Sequence, residues 1–129
     1  MKLKTEKYLS LIKRLDSSFG IYSRISSASL ASLIFNYLET SDQKKELLTL
    51  FHEMLKSDQP QIRKNVVISL KIIPTHSMIE YQQDFLEMVQ TISQDHLIMS
   101  KYHSIHLIEQ IGINLKEVVS LLAFETETD

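Results

Sequence analysis

Apolar residues recur along this chain at one long interval. Leu11, Leu48, Phe85 and Leu122 stand 37 positions apart, as do Ile25, Ile62 and Met99, and again Leu33, Leu70 and Leu107. Shorter spacings inside each interval are helical. Ile62, Val66 and Leu70 fall at i, i+4 and i+8, on one helix face. Met99, His103 and Leu107 take the same places one interval later, and Ile25, Ser29 and Leu33 one interval earlier. Leu47, Leu48, Phe51, Met54 and Leu55 form a second stripe of the same kind. The pattern predicts two helices per interval. The first helices run over 3–16, 41–56, 78–93 and 114–125, and the second helices over 22–39, 60–74 and 97–111.

Polar residues keep the same register. Thr40-x-x-Gln43, Ser77-x-x-Glu80 and Asn114-x-x-Glu117 each have capping-box form. In such a box the first side chain accepts an orphan N–H of the opening turn and the second reaches back. Asp58 and Asp95 lie in short polar breaks, where they are expected to cap the second helices. Pro60 suits a first helical turn, where its missing N–H costs little. One helix pair cannot bury both of its stripes alone, whereas stacked pairs can. The expected fold is therefore all-α, an α-solenoid of about three and a half helix pairs in one domain. Its units are 3–39, 40–76 and 77–113, with a partial unit 114–125 and a frayed acidic tail 126–129. A four-helix bundle competes, but it needs no fixed period.

Composition agrees. The 129 residues include only 2 Gly and 2 Pro, too few for the turns of a many-stranded sheet. With no Cys, disulfide scaffolds, thiolate zinc sites and cysteine nucleophiles are excluded. A net charge of −2 gives no general attraction to nucleic acid. The longest uncharged stretch, Ile25 to Leu38, is 14 residues, against roughly 20 for a membrane span. No apolar run follows the charges of Met1–Lys7, so no signal peptide is expected. These readings favour a reducing compartment, the cytoplasm or secondarily the nucleus.

The 37-residue unit resembles the HEAT repeat more than the tetratricopeptide repeat. Trp is absent, and both glycines, Gly20 and Gly112, lie between helices. The turn Ser57-Asp58-Gln59-Pro60-Gln61-Ile62-Arg63-Lys64 has the HEAT order of acid, apolar residue and base. Tyr22-Ser23-Arg24-Ile25-Ser26-Ser27-Ala28, followed by Asp58-Gln59-Pro60-Gln61-Ile62-Arg63-Lys64, is similar to consecutive repeats of the scaffolding A subunits of protein phosphatase 2A, in a short form. That family carries Tyr-Pro-Arg-Val-Ser-Ser-Ala and a downstream Asp-x-Pro-x-Val-Arg-Arg turn. The likeness spans residues 17–112. Ser23 replaces the family's Pro, Ser100 replaces a basic residue, and Ser29 and His103 replace small apolar ones. The resemblance implies a curved solenoid that binds regulatory subunits through its intra-repeat turns, and catalytic subunits only in second place.

Enzyme signatures are sparse, and no catalytic residue, cofactor site or metal site is assigned. Phe51-His52-Glu53-Met54-Leu55-Lys56 opens like a zinc-protease helix but lacks the second His. His103 and His106 could share a metal only with Glu109, which is too few ligands for a structural zinc. Ser26, Ser27 and Ser29 read as small residues that let helices approach, with no His nearby to activate a hydroxyl. Arg63, Lys64 and Lys71 read as a solvated strip.

The expected function is non-catalytic scaffolding of a serine/threonine phosphatase complex. The residues assigned to partner contact are Gly20, Ile21, Ser57, Asp58, Gln59, Gln94, Asp95 and His96, with Asp58, Arg63 and Asp95 forming a partial charge ladder. Exposed rungs of that kind contribute roughly 0.2–1 kcal/mol each, so they set register more than stability. A HEAT adaptor for a transport or cytoskeletal partner is the alternative, and a nucleic-acid-binding HEAT protein ranks below it. Val118, Val119, Leu121 and Leu122 would leave an apolar stripe on the last helix, so concentration-dependent self-association is expected.

Overall fold

The structure is a computed structural model that describes residues 2–17, 20–99 and 105–109. The predicted helix 114–125, its Asn114–Glu117 cap, the 126–129 tail and His103 lie outside the described residues. The described chain is all-helical, with no strand among its elements. It runs α1 (Lys2–Asp16), α2 (Ile21–Ile34), a 3-10 turn (Phe35–Tyr37), α3 (Ser41–Leu55), α4 (Pro60–Leu70), α5 (Thr75–Glu80), α6 (Gln82–Ser93) and α7 (His96–Met99). Residues 105–109 are helical as well. No described helix is long and apolar enough to cross a membrane. The chain divides into two compact units, Met1–Ile73 and Pro74–Asp129.

The first unit holds two helix pairs, α1 with α2 and α3 with α4. α2 packs broadly on both α1 and α4, and α3 packs on α4. The stripe read from the sequence of α3 is the buried one: Leu47, Leu48, Phe51, Met54 and Leu55 are all in the core. Ile62, Val66 and Leu70 of α4 are buried with it. Fully burying one side chain of that size contributes about 1.5–3 kcal/mol, far more than any surface ion pair.

α2 departs from the expected face. Ile25 and Ser29 are half-buried and Leu33 is 55% exposed. The buried set is Ser27, Ala28, Ala31, Ser32 and Ile34, continued by Phe35 and Leu38. The reason is steric. A helix flanked by two neighbours approaches both most closely on its small residues, so Ala and Ser turn inward and Leu33 turns out. The Ser27 hydroxyl, with no exposed surface, donates a hydrogen bond to the Ile12 carbonyl at 3.0 Å. That bond ties α2 to α1 and confirms the packing reading of this serine.

The cap expected at Thr40 is present, whereas those expected at Asp58 and Ser77 are not. The Thr40 hydroxyl accepts the Gln43 N–H at 3.2 Å, with Thr40 in extended backbone. Thr40→Ala should therefore lower stability by about 1 kcal/mol, while Thr40→Ser should be near neutral. Thermal unfolding of the full chain followed by circular dichroism checks this. At α4 the cap position belongs to Gln59, which makes no side-chain cap bond, and Asp58 lies one residue too early. Ser57 takes over locally: its Oγ accepts the Gln59 N–H at 3.2 Å. Pro60 does open the helix.

Pro74 accounts for two further corrections. The helix predicted over 60–74 ends at Leu70, because Pro74 has no N–H to give the Leu70 carbonyl four residues back, its ring clashes there, and it drives Ile73 out of the helical region. Lys71, Ile72 and Ile73 close instead with tight bonds to the carbonyls of Ile68, Ser69 and Leu70. The carbonyl of Pro74 then accepts the N–H groups of Ser77 and Met78, so α5 starts at Thr75. Ser77 is consequently buried inside α5 and is not a cap.

In the second unit α5 packs on α6 and α6 on α7. Met78, Phe85, Met88, Val89 and Ile92 are buried. The helix predicted over 78–93 is interrupted at Tyr81, with φ −114° and ψ 45°. Ile79-Glu80-Tyr81-Gln82 contains neither Gly nor Pro, and nothing in the local sequence explains the break. Leu107 and Ile108 are buried, so the apolar column of Leu70 and Leu107 holds where Leu33 fails.

Candidate functional site

The turns assigned to partner contact are connectors between a first and a second helix, and most of their side chains face solvent. Gly20, Asp58, Gln59, Gln94 and His96 are exposed, while Ile21, Ser57 and Asp95 are half-buried. Gly20 adopts extended backbone before α2, with no side-chain cap. In the second turn Arg63 donates a hydrogen bond from Nη1 to the Ser57 carbonyl at 2.8 Å. With the Ser57–Gln59 bond, this fixes the loop from both sides and leaves Asp58 and Gln59 outermost. Such a turn offers a rigid polar surface with little ordering entropy left to lose on binding. Gln94, Asp95 and His96 belong to the second unit, where Gln94 and Asp95 connect α6 to α7 and His96 opens α7.

The first unit carries a feature the sequence reading missed. α1 and α3 stand apart over a groove of about 280 Å³. One wall is Leu9, Ile12, Lys13 and Asp16, and the other is Glu46, Leu47, Thr49, Leu50 and Glu53. The walls correspond: Glu46, Thr49, Leu50 and Glu53 each follow one of the first four by 37 positions. The same helix face of two successive first helices therefore opens into one cleft.

The floor is apolar and the rim is charged. Leu9, Ile12 and Leu47 are buried beneath it, and Leu50 is half-buried. Lys13 Nζ crosses the rim to Glu46 Oε2 at 3.2 Å. Asp16 Oδ1 faces Arg24 Nε at 3.7 Å, tying the end of α1 to the start of α2. Both pairs are partly solvated, so each contributes no more than about 1 kcal/mol. Glu53 is exposed and joins no ion pair among the described residues.

Comparison with protein-family models, with curated proteins and with solved structures gives no match. Of the histidine grouping considered above, His106 and Glu109 are exposed. Of the serines, Ser26 is exposed, and the buried Ser27 hydroxyl is committed to the Ile12 carbonyl.

The groove left one trace in the sequence. Asp16 and Glu53 form an acidic column at the same 37-residue interval as the apolar ones.

Proposed function

We propose that this chain is a non-catalytic, protein-binding helical-repeat scaffold of HEAT type. One observation carries the reading: four positions on one wall of the α1–α3 groove stand one 37-residue interval from the four on the other. A bundle closed around a single axis has no reason to present equivalent positions side by side on neighbouring helices. Stacked repeats do so by construction. The exposed, hydrogen-bonded turn at Asp58 and Gln59 supports partner contact through the intra-repeat turns, and Asp58, Arg63 and Asp95 are proposed to set register between units.

The resemblance in the Tyr22–Ala28 and Asp58–Lys64 segments names the partners: regulatory, and secondarily catalytic, subunits of a protein phosphatase 2A-type enzyme. The test is capture of those purified subunits by the immobilised full chain. The chain should retain the regulatory subunit. Joint substitution of Asp58, Gln59, Asp95 and His96 by Ala should reduce retention at least about tenfold, a change of about 1.4 kcal/mol. Circular dichroism should be unchanged, because these side chains contribute little to the core. Retention of neither subunit removes the phosphatase assignment. Retention unaffected by the four substitutions removes the turns as the site.

A further inference from the structure

We infer that the α1–α3 groove receives one face of a basic amphipathic helix from a protein partner. The inference rests on the scaffold reading and names the chemistry of what that scaffold holds.

Size comes first. A volume of about 280 Å³ lies just below the roughly 300–1,000 Å³ typical of small-molecule pockets. It suits one or two large apolar side chains projecting from a helix, at the i and i+4 spacing such grooves read. The floor of Leu9, Ile12, Leu47 and Leu50 offers those anchors only apolar contact.

Charge selects the partner. Three carboxylates, Asp16, Glu46 and Glu53, stand against one ammonium, Lys13. Lys13 is engaged with Glu46, and Asp16 is held by Arg24 at 3.7 Å, beyond hydrogen-bond length. Glu53, which has neither, is the open end of the rim. A helix carrying Lys or Arg beside its apolar stripe places cations there on binding. An acidic helix meets a like charge at Glu53 and a net negative rim, three carboxylates against the Lys13 ammonium, and such juxtaposition discriminates between partners. Closure of the cleft by a second copy through this same face would set the two acidic rims against each other.

The probe is a synthetic amphipathic peptide of about 18 residues, long enough to sustain a helix, with Leu on one face and Lys on both flanks. A second peptide replaces every Lys by Glu. Each is titrated into the full chain and followed by fluorescence anisotropy and by amide shifts. The Lys peptide should bind saturably, with shifts centred on residues 9–16 and 46–53, and at least about tenfold tighter than the Glu peptide. Glu53→Lys should weaken the Lys peptide and strengthen the Glu peptide. Leu50→Asp should abolish binding of both. Glu53 is exposed, so its reversal keeps the test decisive even if Leu50→Asp fails to fold.

Equal binding of the two peptides, shifts lying elsewhere, or no saturable binding overturns the inference. So does sedimentation in which Glu53→Lys dissolves a dimer, or binding of a small apolar molecule that the Lys peptide fails to displace. The subunit capture described above is run on Glu53→Lys in parallel. If the peptides fail while capture still depends on Asp58, Gln59, Asp95 and His96, only the groove assignment falls. If capture fails as well, the phosphatase assignment falls with it.

Discussion

Phe51→Ala is expected to lower the stability of the chain by about 3–5 kcal/mol, the range for emptying a fully buried phenylalanine site. Phe51 has no exposed surface and lies on α3. Its ring centroid is 6.5 Å from that of Phe35, with the planes at 47°. Phe35, equally buried, opens the 3-10 turn after α2. The pair therefore joins the end of the first helix pair to the middle of the second. A tilted contact of this kind adds about 0.5–1.5 kcal/mol beyond simple burial. A unit of this size has a total stability of only about 4–11 kcal/mol, so the loss is a large share of the whole. Urea unfolding of the full chain, followed by circular dichroism, reads it directly. Phe51→Leu retains most of the volume and should cost under about 2 kcal/mol. A loss below about 1 kcal/mol for Phe51→Ala would show that the two helix pairs do not share a core at this contact.

The legible part of the fold is the part governed by local pattern. The α3 stripe was readable because amphipathic spacing and a cap at Thr40 agree on a helix over 41–56, and the structure ends it one residue earlier, at Leu55. Pattern failed where another force decided. Leu33 continues an apolar column, yet close approach of α2 to two neighbours selects Ala28 and Ala31 for the interior. Ser77-x-x-Glu80 has the form of a cap, yet Pro74 opens the helix three residues earlier. The turn residues Asp58 and Gln59 were legible as exposed polar positions, and the structure adds the Ser57 and Arg63 bonds that hold them. Of the groove, only the acidic column of Asp16 and Glu53 was legible. The groove's existence depends on the separation of α1 from α3, and no spacing within either helix encodes that distance.

Replacing Ala28 and Ala31 together by Leu should destabilise the chain by about 1–3 kcal/mol per site, and it tests the separation directly. Both alanines have no exposed surface and sit on the helix that packs on α1 and on α4. Three added carbons at each site have no void to enter, because interiors are filled to crystal-like density. Relief comes by moving a neighbour. A shift of α1 would lengthen the 3.0 Å bond from Ser27 Oγ to the Ile12 carbonyl, leaving a buried hydroxyl unmet at about 1–3 kcal/mol. The same shift would move Leu9, Ile12, Lys13 and Asp16, which are one wall of the groove. The double variant should therefore unfold at lower urea and also bind the Lys peptide more weakly, although neither alanine lines the cleft. Ala28→Ser and Ala31→Ser, close to the parent in volume, should leave the peptide affinity unchanged. Full stability in the Leu variant would mean that α2 does not set the spacing of its neighbours. Lost stability with intact peptide binding would mean that α2 sets the fold but not the width of the groove.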